Sequence, residues 1–124
     1  MTPPNRTASL QLTPEQRLLC AQLEPLARGG RFTVAPEHRF HPVRRHRIDV
    51  ALLERVSEGY APCLAIEIDG GGWVKGGGRH SRGLGMEADA EKSALIAAAG
   101  YRLVRVTPKQ VRDGRALAWI KECL

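Results

Sequence analysis

Two alternating apolar runs, His46–Leu53 and Cys63–Asp69, separated by Ser57-Glu58-Gly59, constrain this chain more than any other feature. Alternation with β-branched residues reads as strand and Ser-Glu-Gly as turn chemistry, so the runs form a hairpin. In Leu64-Ala65-Ile66-Glu67-Ile68-Asp69 the period of two sends Leu64, Ile66 and Ile68 to one face, and Ala65, Glu67 and Asp69 to the other. In Arg47-Ile48-Asp49-Val50-Ala51 it groups Asp49 with Ala51 and Ile48 with Val50. A hairpin symmetric about position 58 joins residues whose numbers sum to 116, setting Ala51 opposite Ala65 and Asp49 opposite Glu67. Opposed side chains have Cβ atoms about 4.5–5.5 Å apart, and like charges at that spacing destabilise a sheet unless a cation lies between them. A hard divalent ion held by carboxylates, a backbone carbonyl and water resolves the conflict, and Ala51 and Ala65 leave room for it. A slipped register, or plain ion pairs to Arg47 and Arg105, would resolve it as well.

Around the hairpin the punctuation is clear. Residues 1–11 form a polar, proline-containing arm, and 12–124 a single domain, the most that a chain of 124 residues supports. Thr13-Pro14-Glu15-Gln16 is a capping-box start for a helix carrying Leu18, Leu19, Leu23 and Leu26 and fading by Gly29-Gly30. Thr107-Pro108-Lys109-Gln110 repeats that signature and opens a C-terminal helix, weakened internally by Gly114. Phe32–Val34 reads as a short strand and Tyr101–Val106 as a longer one. Residues 70–85 hold eight glycines in sixteen positions, too many for a packed strand or helix, and Met86–Ala99 is helical with Gly100 as its stop. The sum is α, β, β, β, α, β, α: an α/β (α+β) fold, a small mixed sheet flanked by helices, with a right-handed crossover over 64–106.

Charge narrows the partners. Nineteen Lys and Arg against thirteen Asp and Glu give a formal net charge of +6, which favours polyanions. His38 to Arg47 holds four arginines and three histidines just before Asp49; Arg44, Arg45 and Arg47 are placed to bind backbone phosphates. In the glycine-rich segment Lys75, Arg79, His80 and Arg82 suit a flap over phosphates, and Trp73 suits stacking on a base or packing of the loop. Cys20, Cys63 and Cys123 lack C-x-x-C spacing and a histidine partner, so they read as packing residues of a chain in a reducing, cytoplasmic setting. No run approaches the length of a membrane span.

Arg-Ile-Asp-Val-Ala, Ala-Ile-Glu-Ile-Asp-Gly-Gly, a helical Asp-x-x-Lys and Gly-Tyr-Arg-Leu-Val-Arg-Val-Thr together resemble the PD-(D/E)XK nuclease superfamily. The resemblance is to its small branch of very-short-patch-repair-like and phage-borne endonucleases, and it covers roughly residues 13–120. It implies a restriction-endonuclease-like αβββαβ core and hydrolysis of phosphodiester bonds with Mg²⁺ or Mn²⁺. Asp49 and Glu67 match the metal-binding acids, with the carbonyl of Ile68 as a further ligand, and the opening helix puts Glu15 forward as an acid facing the site. The pattern departs at the lysine: where Glu-x-Lys is expected, the chain has Glu67-Ile68-Asp69. Lys92, sharing a helix face with Asp89, is the candidate replacement, and Lys75 a weaker one.

In such a mechanism Lys92 or His80 orients the water or offsets developing charge. Asp69 either binds a second metal or caps the turn at Gly70-Gly71-Gly72. The expected function is a metal-dependent DNA endonuclease acting on branched or mismatched DNA; since a monomer of this size presents one site, cutting of both strands would imply a homodimer or two successive nicks. The alternative is a nuclease-like DNA-binding protein that does not cut and serves a recombination or phage complex. A basic RNA-binding module fits less well, because the chain has only six aromatics and no strand with paired exposed rings.

Overall fold

The computed structural model describes residues 11–70 and 78–124, and of 78–84 it describes the backbone. Its elements are α1 (Pro14–Arg28), β1 (Phe32–Arg39), β2 (Arg47–Val56), β3 (Gly59–Ile68), α2 (Gly78–Ala98), β4 (Arg102–Val106), α3 (Pro108–Arg112) and α4 (Arg115–Glu122). The strands form one mixed sheet in the order β1-β2-β3-β4. The first three run antiparallel to their neighbours and β4 runs parallel to β3, so α2 is the crossover between them. The class is α+β, a four-stranded sheet flanked by helices.

Both Thr-Pro-x-Gln signatures form complete capping boxes. The Thr13 hydroxyl accepts the Gln16 N–H at 3.1 Å while the Gln16 side chain accepts the Thr13 N–H at 2.9 Å. Thr107 and Gln110 repeat the exchange at 3.2 and 3.0 Å. The single C-terminal helix expected there is instead two, α3 and α4, because Gly114 takes a left-handed φ of 90° that no helix accommodates.

Two corrections concern the segments that flank the site. The stretch expected to be a loop through Gly85 is already helical from Gly78. Once the alanine-rich part has nucleated, each added residue gains a backbone hydrogen bond, against about 1 kcal/mol per glycine. The room expected beside Ala51 and Ala65 is not there. Ala35, Ala51 and Ala65 are register partners across three strands, fully buried in a cluster with Ile96 of α2 and Tyr101. On the other face Val50, Leu52, Leu64, Ile66 and Val106 pack against Leu19 and Leu23 of α1 and Val111, Ala116 and Ile120.

The central register is the expected one, reached by a different route. Ala51 pairs with Ala65 and Val50 with Ile66, sums of 116. The hairpin itself closes on a two-residue turn with Val56 opposite Gly59, a sum of 115. A bulge between Leu52 and Leu53 leaves Cys63 as the extra residue and restores 116 beyond it. Alternation then fails at Asp49: Ile48 packs in the α2-side cluster and Val50 in the α1-side one, not together as expected. Opposite this point β1 carries Glu37 in the left-handed region, φ 49°, between the pairs Pro36–Val50 and His38–Ile48. Asp49 lies between those same two pairs, so the irregularity of β1 and the acids share one place in the sheet.

At the end of β3, Gly70 has a φ of 147°, and a Cβ there would lie 2.9 Å from Cδ of Pro108, a rigid ring at the first turn of α3. Gly70→Ala is therefore expected to cost about 1–3 kcal/mol, typical of overpacking, read as a lower midpoint in urea denaturation. An unchanged midpoint would mean that this approach is loose. No helix of the described residues is long and apolar enough to cross a membrane.

Candidate metal centre

Three carboxylates and one lysine converge where β1, β2, β3 and α2 meet. Glu67, at 4% exposure, accepts the Asp49 backbone N–H through Oε2 at 2.9 Å. Its other oxygen, Oε1, lies 2.5 Å from the ammonium of Lys92 on α2. Asp49 Oδ2 in turn accepts the Ile68 backbone N–H at 2.8 Å. The acids thus replace the β2–β3 ladder with a reciprocal exchange: each carboxylate satisfies a backbone donor on the other strand. This holds two like charges side by side without leaving a buried amide unpaired.

Glu37 and Gln16 complete the group, and neither was expected. The Gln16 amide donates to Glu37 Oε2 at 2.8 Å and to the Asp49 carbonyl at 3.1 Å, while its oxygen caps α1. One side chain therefore fixes the helix start and ties it to the site, and the bonds at both ends set the amide orientation. Arg47 approaches Glu37 at 4.0 Å.

Charge is unbalanced here. Burial pushes the Asp49 carboxyl up from an ordinary 3.8 to about 6, and the neighbouring Glu67 and Glu37 add to the rise; the Ile68 N–H and Lys92 oppose it. Three carboxylates share one closely bound ammonium, so the group has capacity for a further cation. Among the described residues no three His, Cys, Asp or Glu are arranged to hold a metal by themselves. The donor set fits Mg²⁺, which keeps several waters and takes one or two protein carboxylates together with substrate phosphate, better than an ion needing a full protein cage.

Other candidates lie elsewhere. Glu15 does not face the site: its carboxylate accepts from Arg112 at 2.8 Å, and Gln16, about 100° further round the helix, takes the inward position. Asp69 is bound by Arg105 at 2.8 Å, and Arg105 also reaches Ser93 of α2, so Asp69 serves as a bracket between β3, β4 and α2. Arg105 thus neutralises Asp69 and not the paired acids. Ile68 borders the site through its N–H. Lys75 and Trp73, and the side chains of Arg79, His80 and Arg82, lie outside the described residues.

The loop from Phe40 to His46 is held over α2. Arg44 and His46 both bind Glu91, His46 at 3.0 Å, and the paired donors pull the Glu91 carboxyl down to about 2. His41 Nδ1 accepts the N–H groups of Val43 and Arg44 at 3.1 and 3.0 Å, folding the loop back on itself. Arg45 is exposed and has no acidic partner among the described residues. The cysteines are free thiols packed at the edge of the core, and burial lifts Cys20 to about 11, the opposite of a nucleophile's shift.

No protein-family model matches the chain, and neither a curated protein nor a solved structure matches it significantly.

Proposed function

We propose that the chain is a metal-dependent DNA endonuclease whose centre is the Asp49–Glu67–Lys92 group. One observation carries this reading: two opposed acids are kept ionisable next to a lysine from a separate helix, at the edge of a basic loop. Asp49 and Glu67 would hold Mg²⁺ or Mn²⁺ with the carbonyl of Ile68 and water. When bound, that ion acidifies water and polarises the scissile phosphate. Lys92, beside Glu67, would take the role of the motif lysine that the resemblance lacks. Held 2.5 Å from Glu67, its ammonium is placed to offset negative charge developing on the phosphate, or to orient the attacking water. Gln16 keeps Glu37 and the Asp49 peptide in position, so that the acids need not reorganise during the reaction. Arg44, Arg45 and Arg47 supply affinity for the backbone without sequence readout.

A second reading, a DNA-binding protein that does not cut, draws support from the same lysine: Lys92 already places a cation on Glu67. Ion-dependent stability separates the two. A metal present at a hundredfold excess over its Kd stabilises the fold by about 2.7 kcal/mol. Mg²⁺ or Mn²⁺ is accordingly expected to raise the melting temperature by several degrees, with Asp49→Ala abolishing the rise. A melting temperature equal in chelator and in excess metal would favour the binder.

A further inference from the structure

We propose that Arg39 and Arg47 form a two-guanidinium seat for a single backbone phosphate of DNA, beside the acid group. The inference rests on reading the chain as a DNA-acting protein. Arg39 and Arg47 are direct partners in the β1–β2 ladder, at the end of the sheet that carries the acids. Directly opposed residues point to one side with Cβ atoms about 4.5–5.5 Å apart, and like charges there repel unless an ion of opposite sign lies between them.

The chain does not supply that ion. The described residues include all thirteen acids, and Arg39 has no ion-pair partner among them. Arg47 reaches only Glu37, at the outer limit of 4.0 Å, and its side chain stays 49% exposed. Four other arginines are closely matched, Arg31 with Glu54, Arg105 with Asp69, Arg112 with Glu15 and Arg115 with Asp113, all at 2.8–3.1 Å, whereas Arg39 and Arg47 stand as direct partners without such an acid.

Position makes the occupant a phosphodiester. Arg47 lies two residues before Asp49 on β2, about 7 Å along a strand, and its contact with Glu37 links it through Gln16 to the Asp49 peptide. An anion on the two arginines therefore sits one short step from the carboxylates. Paired guanidiniums match the several oxygens of a phosphate, which one fork alone engages only in part.

The test reads binding of a short fluorescein-labelled DNA duplex by anisotropy, in chelator, across a salt series. Arg39→Ala, Arg47→Ala and the double variant are compared with Arg28→Ala/Lys121→Ala, which removes the same charge from the far end of α1 and from α4. A shared phosphate predicts that the double variant's log K against log salt slope is shallower by about 0.9, the value for one phosphate contact. Its affinity should fall roughly tenfold or more, with either single variant losing most of that, since half a seat holds poorly. The distant pair should change the slope little.

A double variant with the wild-type slope and affinity overturns the proposal, as does a loss no larger than the distant pair's. A slope change near 1.8 would mean two independent phosphate contacts and also overturns it. Melting in low salt checks the premise: releasing the repulsion should leave the double variant no less stable, and a clear drop would mark the arginines as structural and count against the seat. Because binding is read in chelator, a chain that cuts no DNA yet shows the slope change keeps the seat and loses the nuclease reading. Cleavage with an unchanged slope in the double variant does the reverse.

Discussion

Lys92→Met is expected to destabilise the metal-free protein by about 3–5 kcal/mol, the usual effect of removing one partner from a buried ion pair. Its side chain is 18% exposed and that of Glu67 6%, so water does little to screen the carboxylate left behind. Glu67 cannot turn away, because its second oxygen accepts the Asp49 N–H and is part of the strand pairing. Methionine keeps the volume of the lysine stem, so packing loss contributes little. Two further results follow. Adding Glu67→Gln to Lys92→Met should recover much of the stability, since the uncompensated charge is gone while an acceptor for the Asp49 N–H remains. Mg²⁺ should stabilise the Lys92→Met protein more than the wild type, because the ion then supplies the only strong counter-charge. Urea denaturation in chelator and in excess Mg²⁺ measures both. A Lys92→Met midpoint equal to that of the wild type would show that the pair contributes nothing to the fold.

The second large effect separates stability from activity. At Asp49 the carboxyl is raised from 3.8 to about 6, so between those values the folded protein holds a proton that the unfolded chain has released. Stability linked to this group is therefore present below pH 3.8 and is lost as pH rises through 6. The full shift corresponds to roughly 3 kcal/mol at 1.36 kcal/mol per pH unit. Asp49→Asn should remove that cost while still accepting the Ile68 N–H. In chelator at pH 7 the variant is expected to be as stable as the wild type or more so, and to lose the Asp49 part of the pH dependence. Cleavage should fall by at least about a hundredfold, since even the groups behind a metal ligand are worth 10–100-fold. A substitution that stabilises the fold while ending activity marks a site held under electrostatic strain for function. An Asp49→Asn protein less stable than wild type at pH 7 would show that the carboxylate is structural.

Much of this was legible in local chemistry. Both capping boxes follow from Thr-Pro-x-Gln, because the bonds involved span three residues and need no tertiary context. The nearness of Asp49 and Glu67 also follows from the sequence through the Ala51–Ala65 pair, whereas the ladder itself stops at Val50–Ile66 and the acids meet through side-chain bonds to backbone N–H groups. Gln16 was hidden by its own capping role: its oxygen accounts for the residue locally, and nothing local shows where the amide nitrogen goes. Glu37 depends on a left-handed backbone at a non-glycine residue inside a strand, which no propensity predicts. The one available signal was Pro36 within an apolar run, since proline in a strand marks an edge or an irregularity. Glu15 stands one residue before the inward-facing Gln16, and on a helix that single step is enough to turn an acid from the site to Arg112.

The most direct measurement is cleavage of plasmid, linear, mismatched and four-way-junction DNA by the purified protein in Mg²⁺, Mn²⁺ or chelator, alongside Asp49→Ala and Glu67→Ala. A metal-dependent endonuclease centred on these acids is expected to cut at least one substrate, to require the metal for it and to lose it in both variants. No cutting of any substrate, with a gel shift that persists in both variants, would contradict that reading and leave the acids as part of the fold alone.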